Sequence, residues 1–157
     1  MDVVLTLKFL HVIGATILLG TGLGIAFFML RSHRSGDAGA IAHVAGTVVI
    51  ADMVFTATAV VAQPVTGILL AKAAGYDLWE PWILWSLALY LIAGLFWLPV
   101  VFIQIRMRDL AREASLSDKP LPAAYHRLFR IWFAFGWPAF SAVLAIIWLM
   151  IVKPDIG

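Results

Sequence analysis

The stretch WILWSLALYLIAGLFWLPVVFIQI, residues 82–105, contains no charged side chain and is flanked by Glu80 and Arg106. Because a helix satisfies its own backbone hydrogen bonds, an uncharged run of about 20 apolar residues is enough to cross the hydrocarbon of a bilayer. The whole chain is 63% hydrophobic and only 13% charged, which lies outside the range of water-soluble domains. The stretch therefore predicts an integral membrane protein.

Three further apolar runs accompany this one within the 157 residues of the chain. They predict transmembrane helices at about 3–30, 41–71 and 128–152, in addition to 82–105. The second run is longer than a bilayer requires, so we expect its start to lie outside the hydrocarbon or the helix to tilt. The predicted fold is an all-α, polytopic four-helix up-down bundle that forms a single domain over 1–157.

Basic residues are concentrated in the predicted first and third loops, around Arg31 and over 106–127. Since Lys and Arg accumulate on the cytoplasmic side of membrane proteins, we expect both termini and the second loop to be periplasmic or extracellular. The predicted location is the bacterial inner (plasma) membrane, with the first helix retained rather than cleaved as a signal peptide. The formal charge of +2 then reflects topology and lipid headgroups, and no nucleic-acid partner is expected.

His11 is an ionisable side chain inside the first predicted helix, and it is therefore the leading functional candidate. Gly14 and Gly22 share its helical face and predict a groove beside it. One interpretation is a close helix contact in which His11 is hydrogen-bonded. The other is a haem b site in which a ring nitrogen of His11 binds the iron. The absence of cysteine excludes disulfides, iron–sulfur clusters and covalently attached haem, but not haem b.

Other ionisable residues near the apolar runs are further candidates. His43 and His126 are predicted at the same cytoplasmic depth, where they could pair as axial ligands, although histidines are also common at interfaces. Asp52 lies within the second helix, where an unpaired carboxylate is costly to bury. It either pairs with an arginine or takes part in a proton relay or a quinone contact. The arginines predicted near that depth are Arg31, Arg34, Arg106 and Arg130.

Two glutamines and a proline complete the set of polar positions. Gln63 comes directly before Pro64, and the pair predicts a kink at which neighbours satisfy the backbone bond that proline cannot make. Gln104 lies with Arg106 at the cytoplasmic end of the third helix, where a cluster that includes Arg130 could bind a lipid phosphate, a haem propionate or Asp52. His33 falls in a predicted basic loop and is expected to be solvated.

The residues Lys8-Phe9-Leu10-His11-Val12-Ile13, together with Leu128-Phe129-Arg130 and Val152-Lys153-Pro154, resemble HemJ-type protoporphyrinogen oxidases and, more weakly, CopD-type membrane domains. HemJ-type proteins are four-helix bacterial membrane proteins that bind b-type haem. The resemblance implies His11 as an axial ligand, with Lys8 and Lys153 as polar neighbours. HemJ-type proteins have histidine and lysine near the start of the third helix, whereas this chain has WILWSL there, so the resemblance does not extend to protoporphyrinogen oxidation.

Three other segments, ADMVFT at 51–56, QPVTG at 63–67 and QIRMRD at 104–109, resemble an uncharacterised bacterial family of predicted four-helix integral membrane proteins. This resemblance covers nearly the full length of the chain. It implies the fold and brings no activity with it.

Two functions remain after the sequence is considered. In the first, the chain is a b-type haem membrane protein that acts in electron transfer or a porphyrin- or quinone-linked redox step, and so could be a haem-dependent oxidoreductase. In the second, it is a cofactor-free membrane subunit with a structural, assembly or transport role. Membrane lipids are expected partners in both, as is a homo-oligomer or a larger membrane complex.

Overall fold

Four long helices make up most of the computed structural model, which describes residues 2–154. They are α1 (Val3–Ser35), α2 (Ala38–Ala73), α3 (Pro81–Leu116) and α4 (Ala123–Val152), and each is long and apolar enough to cross a membrane. No strand occurs in that part of the chain. The prediction of an all-α four-helix membrane bundle is confirmed.

The helices run further than the apolar stretches from which they were predicted, chiefly at the end that carries most of the arginines. There α3 continues to Leu116, and α4 starts at Ala123 rather than at about 128. The added turns are helical because one face of each is apolar and packs inside the bundle, as at Met107 and Tyr125, which are fully buried. The polar stretch interpreted as a long third loop is therefore mostly helix.

We call this end of the bundle the basic end, defined by Arg31, Arg34, Arg106, Arg108, Arg112, Arg127 and Arg130. The main hydrophobic core lies here and receives side chains from all four helices. Its larger members are Ile25, Met29, Ile41, Val48, Met107, Leu110, Tyr125, Phe129 and Trp132. Removing such a side chain from water stabilises a fold by roughly 1.5–3 kcal/mol. The core at the basic end therefore resembles that of a water-soluble helical bundle.

The remaining surface carries an apolar belt of exposed large hydrophobic side chains. On α2 these run from Ile50 to Leu69, and on α3 from Leu84 to Phe102. At 1.5 Å of rise per residue either run measures roughly 27–29 Å, close to the hydrocarbon thickness of roughly 30 Å. The belt therefore marks the membrane-facing part of the bundle, and about three turns of α2 precede it.

A π-helical segment, Asp52–Thr56, interrupts α2 just inside the belt. Its signature is the hydrogen bond from the Ala57 N–H to the Asp52 carbonyl, five residues back. Before the segment, Ala38–Ala51 packs mainly against α3, and after it Ala57–Ala73 packs against α1. The extra residue in the π turn rotates the second half of α2 relative to the first, so that each half is buried against a different neighbour.

Candidate functional site

A carboxyl group, Asp52, is buried where α2 changes partner and is only 2% exposed. The Trp97 indole Nε1 of α3 donates a hydrogen bond to Asp52 Oδ1 at 3.2 Å. Gln104 is also 2% exposed. We assign its amide orientation from its neighbours: the nitrogen donates to Asp52 Oδ2 at 3.2 Å, and the oxygen accepts from Trp132 Nε1 at 3.1 Å. Four side chains from three helices thus form one network, which we call the Asp52 network.

No arginine belongs to the Asp52 network, so the prediction that Asp52 pairs with one is wrong. The arginines predicted as its partners are all exposed: Arg31, Arg34, Arg106 and Arg130. Arg106 follows Gln104 by two residues, and an α-helix points such a pair in directions about 200° apart. Gln104 therefore faces the core while Arg106 faces out, and the donors that reach Asp52 are neutral N–H groups.

Thr56 lies one turn along α2 from Asp52 and adds a further polar atom to this region. Its hydroxyl oxygen is buried and lies close to the Asp52 carboxyl group, without a hydrogen bond of full geometry within residues 2–154. Buried hydroxyls are normally paired, and an unpaired one often marks a functional position. The region around Asp52 therefore retains unused hydrogen-bonding capacity.

His11 lies towards the opposite end of the belt, between α1 and α2. Its Nδ1 is 2.9 Å from Thr66 Oγ1, and that hydroxyl lies 2.8 Å from the Ala62 carbonyl oxygen, to which it donates. A hydroxyl has a single proton, so when Thr66 donates it to Ala62 the hydroxyl accepts from His11, and the ring proton is then on Nδ1. The other ring nitrogen, Nε2, is then left with a free lone pair.

Glycines near His11 serve close helix contact. A Cβ atom on Gly67 would lie 3.0 Å from His11 Cε1, so the ring rests against the backbone of α2. A Cβ atom on Gly14 would lie 2.7 Å from Nε2 of Gln63, which donates to the His11 carbonyl at 2.9 Å. Gln63 thus fills the space beside Gly14 that the sequence suggested for a porphyrin. Gly22 is exposed, with no atom within 4 Å of its Cβ position.

Pro64 removes the N–H that would bond to the Val60 carbonyl four residues earlier. The Tyr90 hydroxyl of α3 donates to that carbonyl instead. The prediction that a neighbour satisfies the backbone bond missing at Pro64 is confirmed.

The remaining histidines are His33, His43 and His126. His43 and His126 are both exposed, and His126 lies edge-on to His33, with 5.8 Å between ring centroids. His33 is part of α1 and not of a loop. It stacks on Phe129 with centroids 3.6 Å apart, and its Nδ1 is 3.2 Å from the Tyr125 hydroxyl. His33 is therefore partly exposed, as a helical residue with specific aromatic contacts rather than as part of the predicted loop.

The lysines that the HemJ resemblance implied beside His11 have different surroundings. Lys8 is on the same helix, one turn earlier, and is exposed. Lys153 follows α4 and donates from Nζ to the Tyr76 hydroxyl at 2.5 Å. Lys153 therefore joins the end of α4 to the loop between α2 and α3.

Sequence reasoning missed several partners in these contacts, namely Trp97, Trp132, Thr66, Gly67 and Tyr90. Indole and phenol groups inside an apolar run need a hydrogen-bond partner when buried, and that need was the available signal. The identity of each partner depends on how the helices are rotated, which the signal does not give.

The fold and the Asp52 network define a four-helix integral membrane protein with a buried carboxyl group between its helices. Over residues 5–154 the chain matches the family DUF2269, described as a predicted integral membrane protein, and it belongs to that family. No curated protein and no solved structure matches the chain. The resemblance to HemJ-type and CopD-type proteins has no support in these comparisons.

Proposed function

We propose that this protein carries protons in the membrane and that Asp52 is the group that takes up and releases them. The observation that supports the proposal is the environment of the carboxyl group, which is buried with two neutral N–H donors and no cation within residues 2–154. A carboxylate buried without a cation is costly, so the neutral acid is favoured at rest. Trp97 and Gln104 stabilise the anion that forms on release of the proton.

Polar side chains in the second half of α2 extend the proposed route from Asp52 towards the opposite end of the belt. Thr56 comes first, Gln63 follows two turns later, and Thr66 comes next with His11 hydrogen-bonded to it. Spacings of seven and three residues keep Thr56, Gln63 and Thr66 on one helical face, and Thr56, one turn from Asp52, is the link across the π segment. The interval from Thr56 to Gln63 is roughly 10 Å, so we expect water to bridge it when protons move.

The basic end is proposed to face the cytoplasm of a bacterium, because positively charged loops are retained on that side of the inner membrane. Asp52 lies two residues inside the belt from Ile50, close to that end. Between Asp52 and the basic surface lies the hydrophobic core. The core must therefore loosen or hydrate for a proton to pass, which makes slow, regulated transfer the expected behaviour rather than that of an open channel.

Proton flux in proteoliposomes tests the proposal. The protein is reconstituted with a pH-sensitive dye inside the vesicles, and valinomycin with a potassium gradient imposes the membrane potential. We expect Asp52→Asn to abolish the protein-dependent flux while leaving the bundle folded. The matched control is Asp109→Asn, whose side chain is 45% exposed and paired with Arg108 at the surface; it should conduct like the wild type. Equal flux in wild type and Asp52→Asn would overturn the proposal.

A second function, binding of haem b by His11, is favoured by one observation. His11 Nδ1 contacts the Thr66 hydroxyl, which can accept the ring proton and leave Nε2 free, and histidines that bind metals usually donate their other ring N–H to a protein group. Gln63 occupies the space beside Gly14, so it would have to move for a porphyrin to enter there. Haem in this position would support electron transfer, with a quinone or a porphyrin as partner.

The absorption spectrum of the purified protein, oxidised and then reduced with dithionite, tests the second function. A b-type spectrum that is lost in His11→Ala and kept in His43→Ala, an exposed histidine of α2, would support it. A colourless wild-type protein from cells with ample haem would exclude it. A protein that is both colourless and inactive in proton flux would have the structural or assembly role.

A further inference from the structure

A cavity of about 300 Å³ opens at the end of the bundle opposite the basic end. It is formed by the loop before α3, the start of α3 and the residues that follow α4: Tyr76, Glu80, Pro81, Trp82, Lys153 and Pro154. The exposed apolar side chains of the belt stop at Leu69 on α2, begin at Leu84 on α3 and stop at Val152 on α4. The cavity therefore lies at the level of the lipid headgroups.

Lys153 and Glu80 bring opposite charges to this cavity without pairing with each other, since the ion pair within residues 2–154 lies elsewhere. Lys153 Nζ uses one of its three donors on the Tyr76 hydroxyl. Glu80 accepts from Trp82 Nε1 at 2.5 Å and from the Asp77 backbone N–H at 3.3 Å. A carboxylate has about four acceptor positions, so both charged groups keep capacity for a ligand.

The backbone at Lys153 helps to place its ammonium group in the cavity. With φ 44° and ψ 58°, Lys153 is in the left-handed region, which costs energy for a residue other than glycine. The conformation ends α4 and brings Nζ to 4.3 Å from the centroid of the Tyr76 ring and 5.6 Å from that of Trp82. The Tyr76 hydroxyl and the Trp82 ring thus hold the ammonium group in the cavity.

We propose that the cavity binds the headgroup of a zwitterionic phospholipid, with its phosphate on Lys153 and its ammonium on Glu80. The depth of the cavity and the separated charges of Lys153 and Glu80 match a phosphoethanolamine headgroup. The headgroup of phosphatidylglycerol has the same phosphate but a neutral glycerol beyond it, so it could use Lys153 and would gain nothing from Glu80. The site should therefore prefer lipids whose headgroup carries an ammonium group in addition to the phosphate.

Native mass spectrometry of the intact protein with added lipid measures this selectivity. We expect phosphatidylethanolamine to bind about tenfold more tightly than phosphatidylglycerol, the effect of one charge-assisted contact. Lys153→Gln should weaken both lipids, whereas Glu80→Gln should weaken only phosphatidylethanolamine. Lys153→Arg keeps the cation and should keep the binding. Lys72→Gln, a change at an exposed lysine at the end of α2, is the matched control and should have no effect.

Equal affinity of the wild type for the two lipids would overturn the assignment, as would binding that neither Lys153→Gln nor Glu80→Gln alters. Soluble glycerophosphoethanolamine, which has the same phosphate and ammonium but no acyl chains, is the second probe. It should bind much more weakly than the lipid. If it binds as tightly, the site recognises a free phosphoammonium compound and not a membrane lipid.

Discussion

The hydrogen bond from Tyr90 to Val60 gives a quantitative test of how α2 tolerates its proline. Tyr90→Phe removes the hydroxyl alone and leaves the Val60 carbonyl with neither a side-chain donor nor the helical donor that Pro64 lacks. An unsatisfied buried carbonyl costs roughly 1–3 kcal/mol, whereas side-chain bonds between membrane helices average about 0.6 kcal/mol. In Tyr90→Phe the Val60 carbonyl has no donor from either source, so we expect the substitution to destabilise the bundle by about 1–2 kcal/mol.

A second substitution separates this cause from a general loss of packing. Pro64→Ala restores the N–H four residues after Val60, so the carbonyl regains its helical hydrogen bond. In that background Tyr90→Phe should cost about 1 kcal/mol less than in the wild type, which is the coupling energy of a double-mutant cycle. The free energies come from reversible unfolding by sodium dodecyl sulfate in mixed micelles, followed by circular dichroism. An equal cost of Tyr90→Phe in both backgrounds would refute the reasoning.

Three further substitutions probe the other interhelical contacts by the same unfolding measurement. Gly67→Ala should destabilise the bundle by about 1–3 kcal/mol, because the new Cβ would lie 3.0 Å from His11, whereas Gly22→Ala should not destabilise it; similar costs for both would argue against the close contact. Thr66→Val should lower the free energy of unfolding by about 0.6 kcal/mol. It should also remove the signal of a hydrogen-bonded His11 Nδ1–H from nitrogen NMR spectra, and a signal that remains in the variant would contradict the contact. Gln104→Leu should cost about 2 kcal/mol because it leaves the Trp132 indole N–H and Asp52 Oδ2 unpaired, although Asp52 Oδ1 keeps Trp97; a neutral result would exclude the network.

Hydropathy predicted the four helices because each crossing requires a long apolar run with few charges. The same measure missed the turns of α3 and α4 beyond the membrane, where polar residues on one face hide the buried ones. Tyr125 and Met107 are fully buried there, yet their neighbours in sequence include Arg106, Arg108 and Arg127. Such turns resemble those of a soluble protein, and only their packing against other helices shows them to be part of the bundle.

The sequence identified the individual polar residues of the candidate site but not which of them contact one another. Asp52, Gln63 and Gln104 stand out because each is a polar side chain in an apolar run, and all three are buried in the structure. The choice of Trp97 over an arginine as the partner of Asp52 could not be predicted. It depends on the rotation of α2 about its axis, and a π turn alters that rotation without any recognisable residue pattern.

The π turn explains how one unbroken face of α2 serves two neighbours. Ile41, Val48, Asp52, Ala59 and Gln63 recur at alternating spacings of seven and four residues, so a regular α-helix would align them all on one side. One inserted residue rotates the second half of the helix by roughly 100°, which directs the first half of this face to α3 and the second half to α1. The carboxyl group sits at the junction, where the backbone carbonyl of Asp52 accepts the π hydrogen bond. A regular helix would direct Gln63 away from His11 or Asp52 away from Gln104, so the π turn is what allows both contacts in one chain.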